Sequence, residues 1–125
     1  MRKLLIIDDD EQVRELLGSI LESDYDICAT ASLDEAEVFW NENRSQISVV
    51  LSDLSLPDAK STISRLTGWQ AQCPGLATVF VSGLPAVSVR TDFGLVNGVN
   101  FLSKPFTVSE LREIVAEAST RFERL

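Results

Sequence analysis

Short apolar runs alternate along this chain with amphipathic stretches, and that alternation restricts the fold more than any other feature of the sequence. The runs are Lys3-Ile7, Tyr25-Thr30, Ile47-Ser52, Leu76-Ser82 and Val99-Ser103. They are rich in β-branched residues and show little polar/apolar alternation, as expected of parallel strands covered on both faces. Runs of this kind separated by helical patterns predict repeated strand-helix units, not a bundle or an all-β fold. Between the first two runs, Val13, Leu16, Leu17, Ile20 and Leu21 repeat at helical spacing, with Gln12, Arg14, Glu15 and Glu22 on the other face. This predicts an amphipathic helix whose buried stripe includes Leu16. Ser32-Leu33-Asp34-Glu35 is a capping-box pattern that starts a second helix, carrying Ala36, Phe39 and Trp40 toward Asn43. A third is predicted from Ser61 to Gln72, stopped by Pro74-Gly75. From Pro85 to Val96 the composition is poor in helix formers, so a short or labile element ending at Asn97-Gly98 is expected. Thr107 and Glu110 form another capping box, followed by the stripe Leu111, Ile114, Val115, Ala118 and Phe122.

Five such units joined by right-handed crossovers give an α/β, doubly wound, five-stranded parallel sheet with five helices. The 125 residues suit one domain, and neither a linker nor a low-complexity tract divides 1-125. Nineteen acidic residues against eleven Lys and Arg give a formal net charge of -8, the reverse of a nucleic-acid-binding footprint, so no direct nucleic-acid partner is expected. Histidine is absent, which excludes a Ser-His-Asp triad and a His-ligated zinc site. Cys28 and Cys73 lack CxxC spacing and read as reduced, buried thiols. Only Leu4 to Ile7 follow Met1-Arg2-Lys3 before the aspartates, too few for a signal peptide, and no run approaches the roughly 18 apolar residues of a membrane span. A cytoplasmic setting without membrane insertion is the expectation.

In doubly wound sheets the site collects at the carboxyl ends of the strands, so the polar residues closing each run are the informative ones. Asp8, Asp9 and Asp10 close the first run, Asp53 the third, Ser82 and Gly83 the fourth, Lys104 and Pro105 the fifth. Carboxylates gathered at one spot repel one another unless a cation sits among them. Magnesium suits that need best, with manganese as its substitute. Lys104 would add a compact positive charge and Ser82 a small hydroxyl donor. Carboxylate, divalent ion, ammonium and hydroxyl together are the parts for phosphoryl transfer to an aspartate. Asp10 reads instead as a helix N-terminal residue favoured by the helix dipole, and Trp40 and Trp69 read as packing residues.

These segments, Leu4-Leu5-Ile6-Ile7-Asp8-Asp9-Asp10-Glu11, Leu51-Ser52-Asp53-Leu54-Ser55-Leu56-Pro57, Val81-Ser82-Gly83 and Phe101-Leu102-Ser103-Lys104-Pro105-Phe106, resemble a response-regulator receiver domain of two-component signalling over essentially the whole chain. The resemblance implies a flavodoxin-like strand order 2-1-3-4-5 and a magnesium-dependent transfer from a kinase phosphohistidine to Asp53. It makes Asp8, Asp9, Asp53 and the Ser55 carbonyl the metal ligands. Ser82 and Lys104 would contact the phosphoryl group, Phe101 would be an aromatic switch, and the Lys104-Pro105 bond would be cis. By the same resemblance the partners are a sensor histidine kinase or histidine phosphotransfer protein, docking near the first helix, and an unidentified output domain or protein on the fourth and fifth helices. Enzymatic activity would be confined to the chain's own phosphorylation and dephosphorylation. Ala59 and Ser61 stand where the family often has Met and Gly, and Asn97-Gly98 where Gly-Ala is usual. Two alternatives remain at this level: a degenerate receiver that binds partners without phosphorylation, and a haloacid-dehalogenase-type phosphatase with Asp8 as nucleophile and Asp10 as acid-base residue. Against the latter, Gln12 stands where that motif has Thr or Val, and the chain has little room for a substrate cap.

Overall fold

A computed structural model describes residues 2–55, 58–95, 98 and 100–123, with side chains to residue 120. Strands β1 (Lys3–Ile7), β2 (Asp26–Thr30), β3 (Ile47–Asp53), β4 (Ala77–Ser82) and β5 (Phe101–Ser103) alternate with helices α1 (Glu11–Leu21), α2 (Leu33–Asn43), α3 (Ala59–Gln72), α4 (Ala86–Phe93) and α5 (Val108–Glu123). The five strands form one sheet in the order β2-β1-β3-β4-β5, and every pairing is parallel. This is the expected doubly wound, flavodoxin-like arrangement.

Alternation of side chains across the pleat builds two cores from the same strands. Leu4, Ile6, Val49, Leu51, Val79, Val81 and Leu102 face α1 and α5, where they meet Leu17, Leu21, Leu111, Ile114 and Val115. Leu5, Ile7, Val50, Phe80 and Phe101 face the opposite way, toward Trp40, Leu66, Trp69 and Val89 of α2, α3 and α4. Because both faces are covered, the inner strands β1, β3 and β4 are buried at nearly every position, which is why they read as continuous runs. On the second face Trp40 and Trp69 stack with ring centroids 5.0 Å apart and planes 10° from parallel, joining α2 to α3. They are packing residues, as expected.

One of the two predicted capping boxes closes reciprocally, and the other forms its N-cap half. The Ser32 hydroxyl accepts the Glu35 N–H at 3.2 Å. Thr107 and Glu110 cap reciprocally: the Thr107 hydroxyl accepts the Glu110 N–H at 3.1 Å, and the Glu110 carboxylate accepts the Thr107 N–H at 2.8 Å.

The structure corrects several expectations. Leu16 is exposed, not part of the α1 stripe. At about 100° per residue, Leu17, Ile20 and Leu21 already fill the sheet-facing arc, and Leu16 falls beyond its margin. Helix α3 begins at Ala59, two residues before Ser61. Helix α4 is regular but stops at Phe93, because Gly94 takes the left-handed conformation (φ 71°) and its N–H closes on the Arg90 carbonyl. The predicted stop at Asn97-Gly98 therefore comes too late. Val96, Asn97 and Val99 lie outside the described residues, as does the Phe122 side chain. Cys28 and Cys73 are free, as expected, but only half-buried, since they sit at the edge of the second core.

Candidate functional site

Parallel pairing carries every strand in the same direction, so the polar residues that follow the apolar runs arrive at one end of the sheet. Backbone bonds continue past the strands and fix those residues relative to one another. The Asp8 N–H donates to the Thr30 carbonyl at 3.0 Å, the Leu54 N–H to Val81 at 2.9 Å and the Lys104 N–H to Ser82 at 2.8 Å. Asp8, Asp53, Ser82 and Lys104 thus stand on four neighbouring strand ends although they span nearly the whole chain.

At this end one carboxylate oxygen each from Asp8, Asp9 and Asp53 lies within 4.8 Å of the others. Asp8 is buried at 2% exposure, Asp53 half-buried and Asp9 exposed. Asp8 Oδ1 accepts the Asp10 N–H at 2.9 Å, whereas its Oδ2 is buried without a hydrogen-bond partner. Burial holds the Asp8 carboxyl above the usual carboxylate range. The charges of Asp53 and Asp9 push it further up, while the Asp10 N–H and Lys104 act against the rise. A buried carboxyl with an unpartnered oxygen, grouped with two further carboxylates, is a hard-oxygen donor set, which suits a small divalent cation such as Mg2+.

Lys104 Nζ donates to Asp53 Oδ1 at 2.8 Å, so the ammonium bridges β5 and β3 across β4. The Lys104-Pro105 peptide is cis. Ser82 is fully buried, and its Oγ accepts the Leu84 N–H at 3.0 Å. Ser55 is exposed at the rim, one residue beyond buried Leu54. Phe101 lies at 0% exposure inside the second core, one strand away from Ser82. Asp10 is the N-cap of α1, its carboxylate accepting the N–H groups of Gln12 at 2.9 Å and Val13 at 3.3 Å. Both bonds fall on Oδ1.

The carboxylates open into a cleft of about 370 Å3 whose far wall is formed by Ser61, Thr62 and Arg65 of α3. A roomier cleft of about 440 Å3 lies between α3, β4 and α4, lined by residues such as Ile63, Phe80, Phe93 and Leu95. It holds no titratable side chain, so the acidic cleft is the candidate site. Two participants were not legible in the sequence. Arg65 reaches the cleft while paired to Glu37 at 2.9 Å and Asp34 at 3.8 Å. Arg14, expected as an exposed residue of the kinase-docking face of the first helix, donates instead from Nη1 to the Asp8 carbonyl at 2.7 Å. Neither contact leaves a periodic trace, because each joins an irregular loop or a second helix.

The family model for the response regulator receiver domain matches residues 4–116. The two-component response regulator ORR21 of Oryza sativa, in both its indica and japonica subspecies, is 28% identical over 118 residues. That match takes in 90% of this chain but only 16% of the rice protein. Among solved structures, a response regulator receiver domain protein from Clostridium thermocellum superposes with a TM-score of 0.81 at 22% identity, covering 99% of this chain and 98% of that one. A receiver domain protein from Methanospirillum hungatei JF-1 gives 0.76 at 24% identity, again over 99% and 98%. These structural likenesses are likenesses of fold.

Proposed function

We propose, for a chain that belongs to the response regulator receiver domain family, that Asp53 is a phosphoacceptor and that its phosphorylation switches the surface formed by α4, β5 and α5. One observation carries the reading. Three carboxylates from two strand ends share a 4.8 Å neighbourhood, one of them with an unpartnered buried oxygen, while an ammonium rests on Asp53. No structural need accounts for that combination, since gathered like charges weaken a fold.

In the proposed step an Asp53 carboxylate oxygen attacks the phosphorus of a phosphohistidine on a sensor kinase or phosphotransfer protein. The O–P bond forms, the N–P bond breaks, and the imidazole leaves with the bonding pair and takes up a proton. Asp8, Asp9, Asp53 and the Ser55 carbonyl are the residues that would hold Mg2+, or Mn2+ in its place. When bound, the ion neutralises charge on the phosphoryl oxygens. Lys104 already touches Asp53, and would pair with a phosphoryl oxygen once transfer adds about -1.5 to -2 of charge. Ser82 can donate its hydroxyl proton to another such oxygen while Oγ keeps the Leu84 N–H. Phe101 is the proposed aromatic switch: it lies on β5, between the Ser82 strand and the outer surface that an output partner would read. The phosphatase alternative requires Asp10 as an acid-base group, and Oδ1 of Asp10 serves the α1 cap. We place the chain in the cytoplasm as a switch, not a turnover enzyme; among the described residues no helix is long and apolar enough to cross a membrane.

Intact-mass spectrometry of the chain incubated with acetyl phosphate and Mg2+ tests the reading. One phosphoryl adduct is expected, lost with EDTA and lost in Asp53→Asn. An adduct that persists in Asp53→Asn, or none in the parent chain, overturns the assignment, and Mg2+-independent partner binding without an adduct would mark a degenerate receiver.

A further inference from the structure

We propose that Arg14 is a positioning residue for the acidic pair: by holding the Asp8 carbonyl, its guanidinium fixes the turn that aims Asp8 and Asp9 at a bound cation. The inference rests on the reading of Asp8, Asp9 and Asp53 as cation ligands.

Asp8 is restrained at three points. Its N–H donates to the Thr30 carbonyl at 3.0 Å, its Oδ1 accepts the Asp10 N–H at 2.9 Å, and its carbonyl accepts Arg14 Nη1 at 2.7 Å. These three bonds leave Oδ2 as the unpartnered buried oxygen. Arg14 is itself held, because its own N–H makes an α1 backbone bond to the Asp10 carbonyl at 2.9 Å. The chain from Asp8 to Arg14 is thereby closed into a ring: backbone to backbone between Arg14 and Asp10, side chain to backbone between Arg14 and Asp8. Without the guanidinium the carbonyl end of Asp8 is untied, and the Asp9 peptide plane, which shares that carbonyl, can rotate. Both carboxylates then lose their common orientation.

Arg14 also brings a positive charge close to a cation site, and this acts in the opposite direction. A part-buried guanidinium that still reaches water is partly screened, whereas loss of a group that orients ligands typically weakens metal binding by about 10–100-fold. Positioning should therefore dominate, and the two effects differ in sign, so one experiment separates them.

The measurement is Mn2+ binding to the unphosphorylated chain, followed by loss of the free-ion electron paramagnetic resonance signal, with urea unfolding in EDTA as a parallel readout. Arg14→Met keeps the apolar stem and removes the donor and charge; it is expected to raise the Mn2+ Kd by about ten-fold. Arg14→Lys restores a charged donor of similar reach and is expected to recover most of that loss. If Arg14→Met does not fold, Arg14→Gln, too short to span the contact, carries the same expectation. Unchanged or tighter Mn2+ binding in Arg14→Met overturns the inference, as does a stability loss in EDTA with no change in Kd. Absence of Mn2+ binding in the parent chain instead overturns the reading of the acidic cluster on which the inference rests.

Discussion

The two faces of the sheet are built from the same five strands and yet are held in different ways. On the first face α5 buries Leu111, Ile114, Val115 and Ala118, and its N-terminus is closed by the reciprocal Thr107-Glu110 cap. On the second face α4 spans only Ala86–Phe93, buries Val89 alone, and begins at Pro85 without a side-chain cap. The aromatic bulk of that face, the Trp40-Trp69 stack, lies at α2 and α3 and leaves α4 at its margin. The site residues divide between the two faces. Asp8 and Asp9 lead into α1 and Lys104 leads into α5 on the first face, whereas Asp53 leads toward α3 on the second, away from α4. Of the site's strand ends, the one carrying Ser82 leads into α4. For the proposed switch, an acidic cleft beside a weakly held helix is the division of labour required, because the charge that phosphorylation would add meets only a small energy gap at α4.

The largest expected effect would break this comparison if it failed. Leu111→Ala should cost about 3–4 kcal/mol in urea unfolding, within the range for a fully buried leucine. Val89→Ala should cost about 1–2 kcal/mol, two methyl groups' worth. Hydrogen exchange should then resolve where each loss falls: α5 amides exchanging only through global unfolding, α4 amides through local opening. Equal protection of the two helices would show that the faces do not differ in the way their packing implies.

A smaller effect tests the caps. Thr107→Ala removes one half of a reciprocal cap and should destabilise the chain by about 1 kcal/mol, whereas Pro85→Ser offers α4 the side-chain cap it lacks and should add about 0.5–1 kcal/mol. Thermal or urea unfolding of both variants, compared with the phosphorylation yield of Pro85→Ser, would sharpen the contrast. If a capped α4 is phosphorylated less readily, its weakness belongs to the switch.

The smallest effect concerns the cost of the acidic cluster to the first face. Because folding raises the Asp8 carboxyl above its ordinary value of 3.8, the ionised group favours the unfolded chain. Sign follows from linkage: the penalty vanishes only well below pH 3.8, where Asp8 is protonated in both states, and grows until the pH has passed the raised folded value. Asp8→Asn in EDTA should therefore raise Tm by a few degrees at pH 7 and by almost nothing at about pH 2.5, as read by calorimetry. An advantage that survived at the acid end would have to come from packing, not charge.

Much of this arrangement was legible from the residues because burial on both faces leaves a parallel strand no room for alternation, and because strand ends in such a sheet converge regardless of sequence distance. Lys104 meeting Asp53 at 2.8 Å is the clearest instance. The misses share a physical origin. Gly94 and Gly98 both adopt positive φ, and the helix stops at the first, although the expected stop was the second; local propensity does not rank them. Leu16 is as apolar as Leu17, and only the width of the sheet-facing arc decides which is buried. Arg14 and Arg65 act through single side-chain contacts, to a backbone carbonyl and to a neighbouring helix, which periodicity cannot encode.

The paired indoles of Trp40 and Trp69 have one more consequence. These are the chain's two tryptophans, stacked at 5.0 Å. Selective excitation of indole therefore reports the packing of α2 against α3, with no third indole to contribute. The molecule carries its own unlabelled optical gauge, set apart from the acidic cleft, against which any disturbance reaching across the sheet can be read.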